Sequence, residues 1–189
     1  SRNTWRSTIL CVALHRCGNS MPEVGTRHVA IIDYGMGNLF SIQRACEYVG
    51  LQAGITNVRT DILSASAVIL PGVGAFGVAM ENLKKLDLLE PLRDIATSGV
   101  PFMGICLGMQ LLMTESHEYG RHQGLTLIEG EVLKLEEPTG SPRALKVPHV
   151  GWNAIYPLTP SNVPHIHDTA SEPSWGGSLL EGLGSGESM

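Results

Sequence analysis

Four short runs, of which the second is the least apolar, limit what this chain can fold into, and the other three are each followed by a turn and then by residues at helical spacing. They are 28–33 (HVAIID), 52–56 (QAGIT), 67–70 (AVIL) and 101–105 (PFMGI). Runs this brief and apolar on both faces suit strands covered on both sides, the condition of a parallel sheet between helices. After the first run, Asn38 is a good N-cap, Leu39, Ile42, Ala45, Cys46 and Val49 recur at helical spacing, and Gly50 is a stop signal. The spacing predicts further helices over 78–89, from Pro91 to Gly99, and over 107–114. Strands alternating with helices in this way predict an α/β fold, an open and mainly parallel sheet with helices on both faces. Beyond Tyr119 the pattern changes, and 125–135 and 151–158 read as β segments joined by proline-rich loops.

The remaining composition narrows the function. A length of 189 residues allows one domain with a proper core, and 43% hydrophobic with 16% charged residues is globular usage. A formal net charge of −5 offers no attraction to nucleic acid or to an anionic membrane surface. No apolar run approaches the ~18 residues of a membrane span. Cys11, Cys17, Cys46 and Cys106 form no C-x-x-C pair and no zinc spacing, so the expectation is reduced thiols in the cytoplasm, with neither metal nor cofactor. Residues 1–22 carry Arg2, Arg6 and Arg16 and no acidic residue. A transit peptide has that bias, and 8–14 (TILCVAL) has the look of a signal core, but it is short and runs into His15-Arg16. The preferred reading makes 1–27 a disordered leader or extension, with Met21 as the start, and 28–189 the working domain.

Three turns at strand ends invite chemistry. DYGMGN (33–38) has the order of a dinucleotide site, yet Phe40 stands where the third glycine belongs and no acidic residue follows near Asn57. PGVGAF (71–76) lacks the Lys-Ser/Thr of a phosphate loop. Its glycines around Val73 leave backbone N–H groups of Gly72, Val73 and Gly74 able to point at a ligand, as in an oxyanion hole. Gly104-x-Cys106-x-Gly108 matches a nucleophile elbow with cysteine in place of serine. A cysteine that only packs needs neither glycine, and a helix starting behind the sulfur favours the thiolate.

IIDYGMGNL, VILPGVGAF, PFMGICLGMQLL, GL-x-LIEGEV and KVPHVGWN occur in order from 28 onward, and together they resemble the class I glutamine amidotransferases. The first and last of these motifs are similar to those of the glutaminase subunits of imidazole glycerol phosphate synthases, from histidine biosynthesis. The resemblance implies a flavodoxin-like core in which Cys106 attacks the side-chain amide of glutamine and the backbone of Gly72, Val73 and Gly74 stabilises the oxyanion. Gln110 matches a position that contacts the substrate. Asn38, Pro148, His149, Gly151, Trp152 and Asn153 match the interface with the partner, a (β/α)8-barrel cyclase that receives the ammonia; for Trp152, core packing stands as an equal alternative.

One expected part is not in the sequence. The family activates its thiol with a histidine and a glutamate in a His-Pro-Glu motif near the carboxyl terminus, and no such tripeptide occurs here. His165 and His167 lack a carboxylate at the right spacing, and His117-Glu118 resembles nothing catalytic. The resemblance then implies a chain cut before the triad is complete. The alternatives are another class I amidotransferase, or a docking protein that does not hydrolyse glutamine.

Overall fold

The computed structural model describes residues 28–134 and the backbone of 12–14. Its elements run β1 (Val12–Leu14), β2 (His28–Ile32), α1 (Leu39–Tyr48), β3 (Gln52–Thr56), α2 (Arg59–Leu63), β4 (Ala67–Leu70), α3 (Phe76–Lys85) and α4 (Leu89–Thr97). Then follow β5 (Phe102–Gly104), α5 (Leu107–Leu111), β6 (Met113–Ser116), β7 (His122–Gln123) and β8 (Ile128–Val132). The chain divides into two units, Ser1–Leu135 and Glu136–Met189, and every described residue belongs to the first. The β segment expected over 151–158 lies outside the described residues, and within 1–27 only β1 is described.

Five strands form one sheet in the order β1-β5-β4-β2-β3. Strands β5, β4, β2 and β3 are mutually parallel, and β1 lies antiparallel on β5. The apolar run that follows His28 in β2 is explained by its place in the middle: Val29, Ala30, Ile31 and Ile32 are all buried, between β3 on one side and β4 on the other. The chain moves from β2 outward to β3 and then crosses back to β4, so its winding reverses between β2 and β4. Right-handed crossovers therefore put α1 on one face and α2, α3 and α4 on the other. Helix α1 accordingly packs on β2 and β3, while α2 packs on α4. The core between the sheet and the second set of helices is built from Phe76, Ala79 and Leu83 of α3, Leu92 and Ile95 of α4, and Phe102 of β5. No helix among the described residues is long and apolar enough to cross a membrane.

Several boundaries differ from the sequence expectation. Helix α3 begins at Phe76 rather than 78 and stops at Lys85, because Asp87 turns left-handed with φ 54°. The short α2 is absent from the periodic pattern, since Ile62 is its one buried residue. Helix α5 ends at Leu111, not at 114. The carbonyls of Leu111 and Leu112 accept instead from the N–H groups of Leu125, Leu127 and Ile128, so the returning chain takes the acceptors a longer helix would have used. Met113 onward is thereby pulled into β6, the centre of a second sheet of order β7-β6-β8.

This small sheet carries an ion cluster. Arg121 lies 2.7 Å from Glu115, and His117 lies 3.1 Å from Glu115 and 3.5 Å from Glu131. The ligand atoms of Glu115, His117 and Glu131 come within 4.8 Å of one another, but Arg121 already supplies the positive charge there. The hydrogen bond from Arg121 holds the Glu115 carboxyl below the usual carboxylate range, aided by the Arg121 and His117 charges and opposed by desolvation. A folded-state value below the unfolded one stabilises the fold above the ordinary glutamate pKa of about 4.3, and that contribution fades as pH falls through the lowered value. Glu115→Gln is therefore expected to unfold at lower urea than wild type at neutral pH, the two midpoints converging in acid. A gap of constant size down the whole acid limb would contradict this role.

Candidate active site

Parallel strands deliver their carboxyl ends to one edge of the sheet, and ligands of open α/β sheets bind there, where the winding reverses. Three turns leave from that edge. The first follows β2: Gly35 N–H donates to Asp33 Oδ1 at 3.0 Å, and Asn38 Oδ1 accepts from Ser41 N–H at 3.3 Å, so Asn38 caps α1. The second follows β4 at Pro71, and the third follows β5 at Ile105. Leu70 pairs with Gly104 in the sheet, so the chain enters the second and third turns at the same level.

The third turn is an elbow. Cys106 has φ 54° and ψ −115°, a conformation that residues with a Cβ rarely adopt. It is held by Ile105 N–H donating to Leu70 O (3.0 Å), Gly108 N–H to Ile105 O (2.9 Å) and Gln110 N–H to Cys106 O (3.2 Å). Both flanking glycines are sterically required. A Cβ at Gly108 would run into the Leu70 carbonyl oxygen, and one at Gly104 would lie 2.6 Å from Met109 Cα. The sulfur-bearing residue is exposed, whereas Cys46 is buried in α1 and its thiol is pushed up by that burial. Because α5 has five residues in place of the expected eight, its dipole counts for less than the sequence suggests; exposure and backbone geometry distinguish Cys106.

The second turn offers the complementary chemistry. Among the described residues, the N–H groups of Gly72, Val73 and Gly74 have no hydrogen-bond acceptor. Val73 and Gly74 are exposed, and Gly74 has φ 106°. Each end of the turn is tied down by a side chain: Tyr34 Oη donates to Pro71 O at 2.7 Å, and Phe76 N–H donates to Glu118 Oε2 at 2.9 Å. A fixed frame with unengaged donors in its middle can receive a developing negative charge. Gln110 is half-buried in α5, one helical turn beyond Cys106.

The structure thus brings together Cys106, Gln110 and the turn Gly72, Val73 and Gly74, with Asn38 at the neighbouring strand exit. Pro148, His149, Gly151, Trp152, Asn153, His165 and His167 lie outside the described residues. His117 is engaged with Glu115 and Glu131, and the His122 ring lies against Gly77 of α3. Neither Tyr34 nor Glu118 stands out in the sequence as part of the site, and the pair His117-Glu118 matches no catalytic motif. Glu118 reaches a helix start 42 residues earlier, a pairing with no local signal. Tyr34 is buried, and burial, with a smaller effect of the Cys106 charge, holds its phenol well above the ordinary range. Its place at the end of a parallel strand was the available hint.

A family model described as glutamine amidotransferase class-I matches residues 30–172. The imidazole glycerol phosphate synthase subunit HisH of Moorella thermoacetica is 49% identical over 129 residues, covering 68% of this chain and 59% of that protein. Subunit HisH 1 of Legionella pneumophila (strain Paris) is 44% identical over 127 residues, covering 67% of this chain and 60% of its own length. The HisH subunit of Geobacter sulfurreducens is 48% identical over 128 residues, covering 67% and 61%. The chain therefore spans about 60% of the length of these curated relatives. A crystal structure of a glutamine amidotransferase aligns with TM-score 0.44 and 19% identity, covering 53% of this chain and 52% of that one.

The close approach at the elbow gives a direct test. Gly108→Ala forces a methyl against the Leu70 carbonyl, and overpacking of this kind costs about 1–3 kcal/mol. The expected result is a lower urea midpoint together with slower alkylation of Cys106. An unchanged midpoint would mean that the backbones of α5 and β4 are not in contact.

Proposed function

This chain belongs to the class-I glutamine amidotransferase family, and from that premise we propose that it is the glutaminase subunit of an imidazole glycerol phosphate synthase. In this reading it acts in the cytoplasm, beside a cyclase subunit built as a (β/α)8 barrel. The observation that carries the reading is an exposed cysteine on a left-handed elbow, one strand over from a turn with unengaged N–H groups. The HisH names of the relatives supply the choice of synthase.

The chemistry follows from these groups. The Cys106 thiolate attacks the side-chain amide carbon of glutamine; the S–C bond forms and the carbonyl pair moves onto oxygen. N–H groups of Gly72, Val73 and Gly74 receive that oxyanion, and Gln110 helps to hold the substrate. As the carbonyl re-forms, the C–N bond breaks and the nitrogen leaves as ammonia after taking a proton, giving a thioester that water hydrolyses to glutamate. The proton is moved by a base. In this reading the base is the family's histidine, oriented by a glutamate; the His-Pro-Glu motif that carries them is not among these 189 residues, so turnover is expected only from a chain that includes it. The interface with the cyclase is assigned to Asn38, Pro148, His149, Gly151, Trp152 and Asn153, so that ammonia leaves beside Cys106 without meeting bulk water.

A glutamine-shaped chloroketone is expected to alkylate Cys106 ahead of Cys11, Cys17 and Cys46, with glutamine protecting, as located by mass spectrometry of the digested chain. Preferential labelling of another cysteine, or no protection by glutamine, would overturn the reading. For the partner, in a chain that also carries the family's histidine and glutamate, Trp152→Ala is expected to lower cyclase-stimulated glutamine hydrolysis by a larger factor than hydrolysis without the cyclase. An interfacial aromatic is worth about 2 kcal/mol or more when truncated. Equal losses in the two assays would place Trp152 in the core and the interface elsewhere.

A further inference from the structure

Tyr34 carries a hydroxyl into the buried region at the end of β2. The residue is 1% exposed, and its Oη donates to the Pro71 carbonyl at 2.7 Å. The surroundings are tight: a Cβ placed on Gly72 would lie 2.5 Å from Tyr34 Oη, 2.8 Å from Gly108 N and 2.9 Å from Leu107 Cβ. The tyrosine, the start of the second turn and the start of α5 thus meet at one point. The Tyr34 backbone is itself anchored, its carbonyl accepting from Asn82 Nδ2 of α3 at 3.2 Å. Buried hydroxyls need a partner. This one has taken the last carbonyl before the unengaged N–H groups.

A peptide unit is planar, so the Pro71 carbonyl and the Gly72 N–H point in opposite directions along one rigid plate. Fixing the carbonyl therefore fixes the N–H. The next two plates, which carry the N–H groups of Val73 and Gly74, are joined to it through Gly72 and end at Gly74, where the backbone turns freely. We propose that the Tyr34 hydroxyl is the positioning group of the oxyanion turn, setting the plate at Pro71 and Gly72 from which the donors of Val73 and Gly74 are aimed. This rests on the reading of that turn as an oxyanion hole. It goes further by naming the group that aims the donors.

The test compares two reactions of Cys106 in the 189-residue chain and in its Tyr34→Phe variant. Glutamate γ-semialdehyde adds reversibly: the S–C bond forms, the carbonyl pair moves onto oxygen, and the alkoxide rests on the turn before taking a proton from water. Iodoacetamide also forms an S–C bond but expels iodide and develops no oxyanion. Both consume the same thiolate, so their ratio cancels any change in thiolate population. Misaimed donors are costly, so Tyr34→Phe is expected to slow the second-order rate of aldehyde addition about tenfold or more while the iodoacetamide rate stays within about twofold. Asn82→Ala, which loosens the tyrosine backbone and keeps its ring, is expected to show a smaller selective loss, and it decides the matter if Tyr34→Phe does not fold. Equal losses on both probes, or no loss on the aldehyde, would overturn the proposal. Acetaldehyde run in parallel separates this from the functional reading. If wild type prefers the glutamyl aldehyde no more than acetaldehyde, glutamine recognition fails, whereas a selective loss on both aldehydes still supports the role of Tyr34.

Discussion

The backbone of α5 lies directly on the end of β4, with no side chain between them. Leu70 O accepts from Ile105 N–H and at the same time occupies the space that a Cβ on Gly108 would need. That single carbonyl sets how closely the third turn approaches the second. Everything chemically interesting in the described residues depends on this approach. It brings Gly72 against the start of α5, and it forces the chain at residue 106 into angles that aim its side chain outward.

The sheet supplies the rest of the alignment. Parallel pairing of β4 with β5, in register at Leu70 and Gly104, starts both turns at one height. Strand β2 adds its own exit on the other side of β4, and from there Tyr34 reaches across to Pro71. The second sheet contributes as well. Leu111 and Leu112 hand their carbonyls to the segment from Leu125 to Ile128, and the chain between them carries Glu118 to the first N–H of α3. The turn at Gly72 to Gly74 is thus held at its entry by one sheet and at its exit by the other, although the residues that do so are far apart in the chain.

This explains which parts were legible in the sequence. The strands over HVAII and AVIL, the cap at Asn38 and the glycines beside Cys106 are local patterns, each produced by residues within a few positions of one another. The contacts of Tyr34 with Pro71 and of Glu118 with Phe76 span 37 and 42 residues, and no local pattern encodes them. The early end of α5 was hidden for a related reason. Leu111, Leu112 and Met113 continue the helical period, and only acceptor competition from Leu125 and Leu127 reveals that the helix has stopped. Helix α2 was missed because five residues with one buried side chain leave no period to read.

The backbone of Cys106 has a consequence for how this protein can change over time. Holding a residue with a Cβ at φ 54° and ψ −115° costs of order 1–3 kcal/mol, and glycine at that position would release it. Folding and reactivity therefore favour different residues at 106, while at Gly104 and Gly108 both favour glycine. A lineage or a laboratory selection that rewards heat tolerance alone would drift toward glycine at 106 and lose its thiol without any loss of fold. A lineage that kept cysteine at that position would therefore be one in which selection acts on chemistry, and not merely on a stable shape.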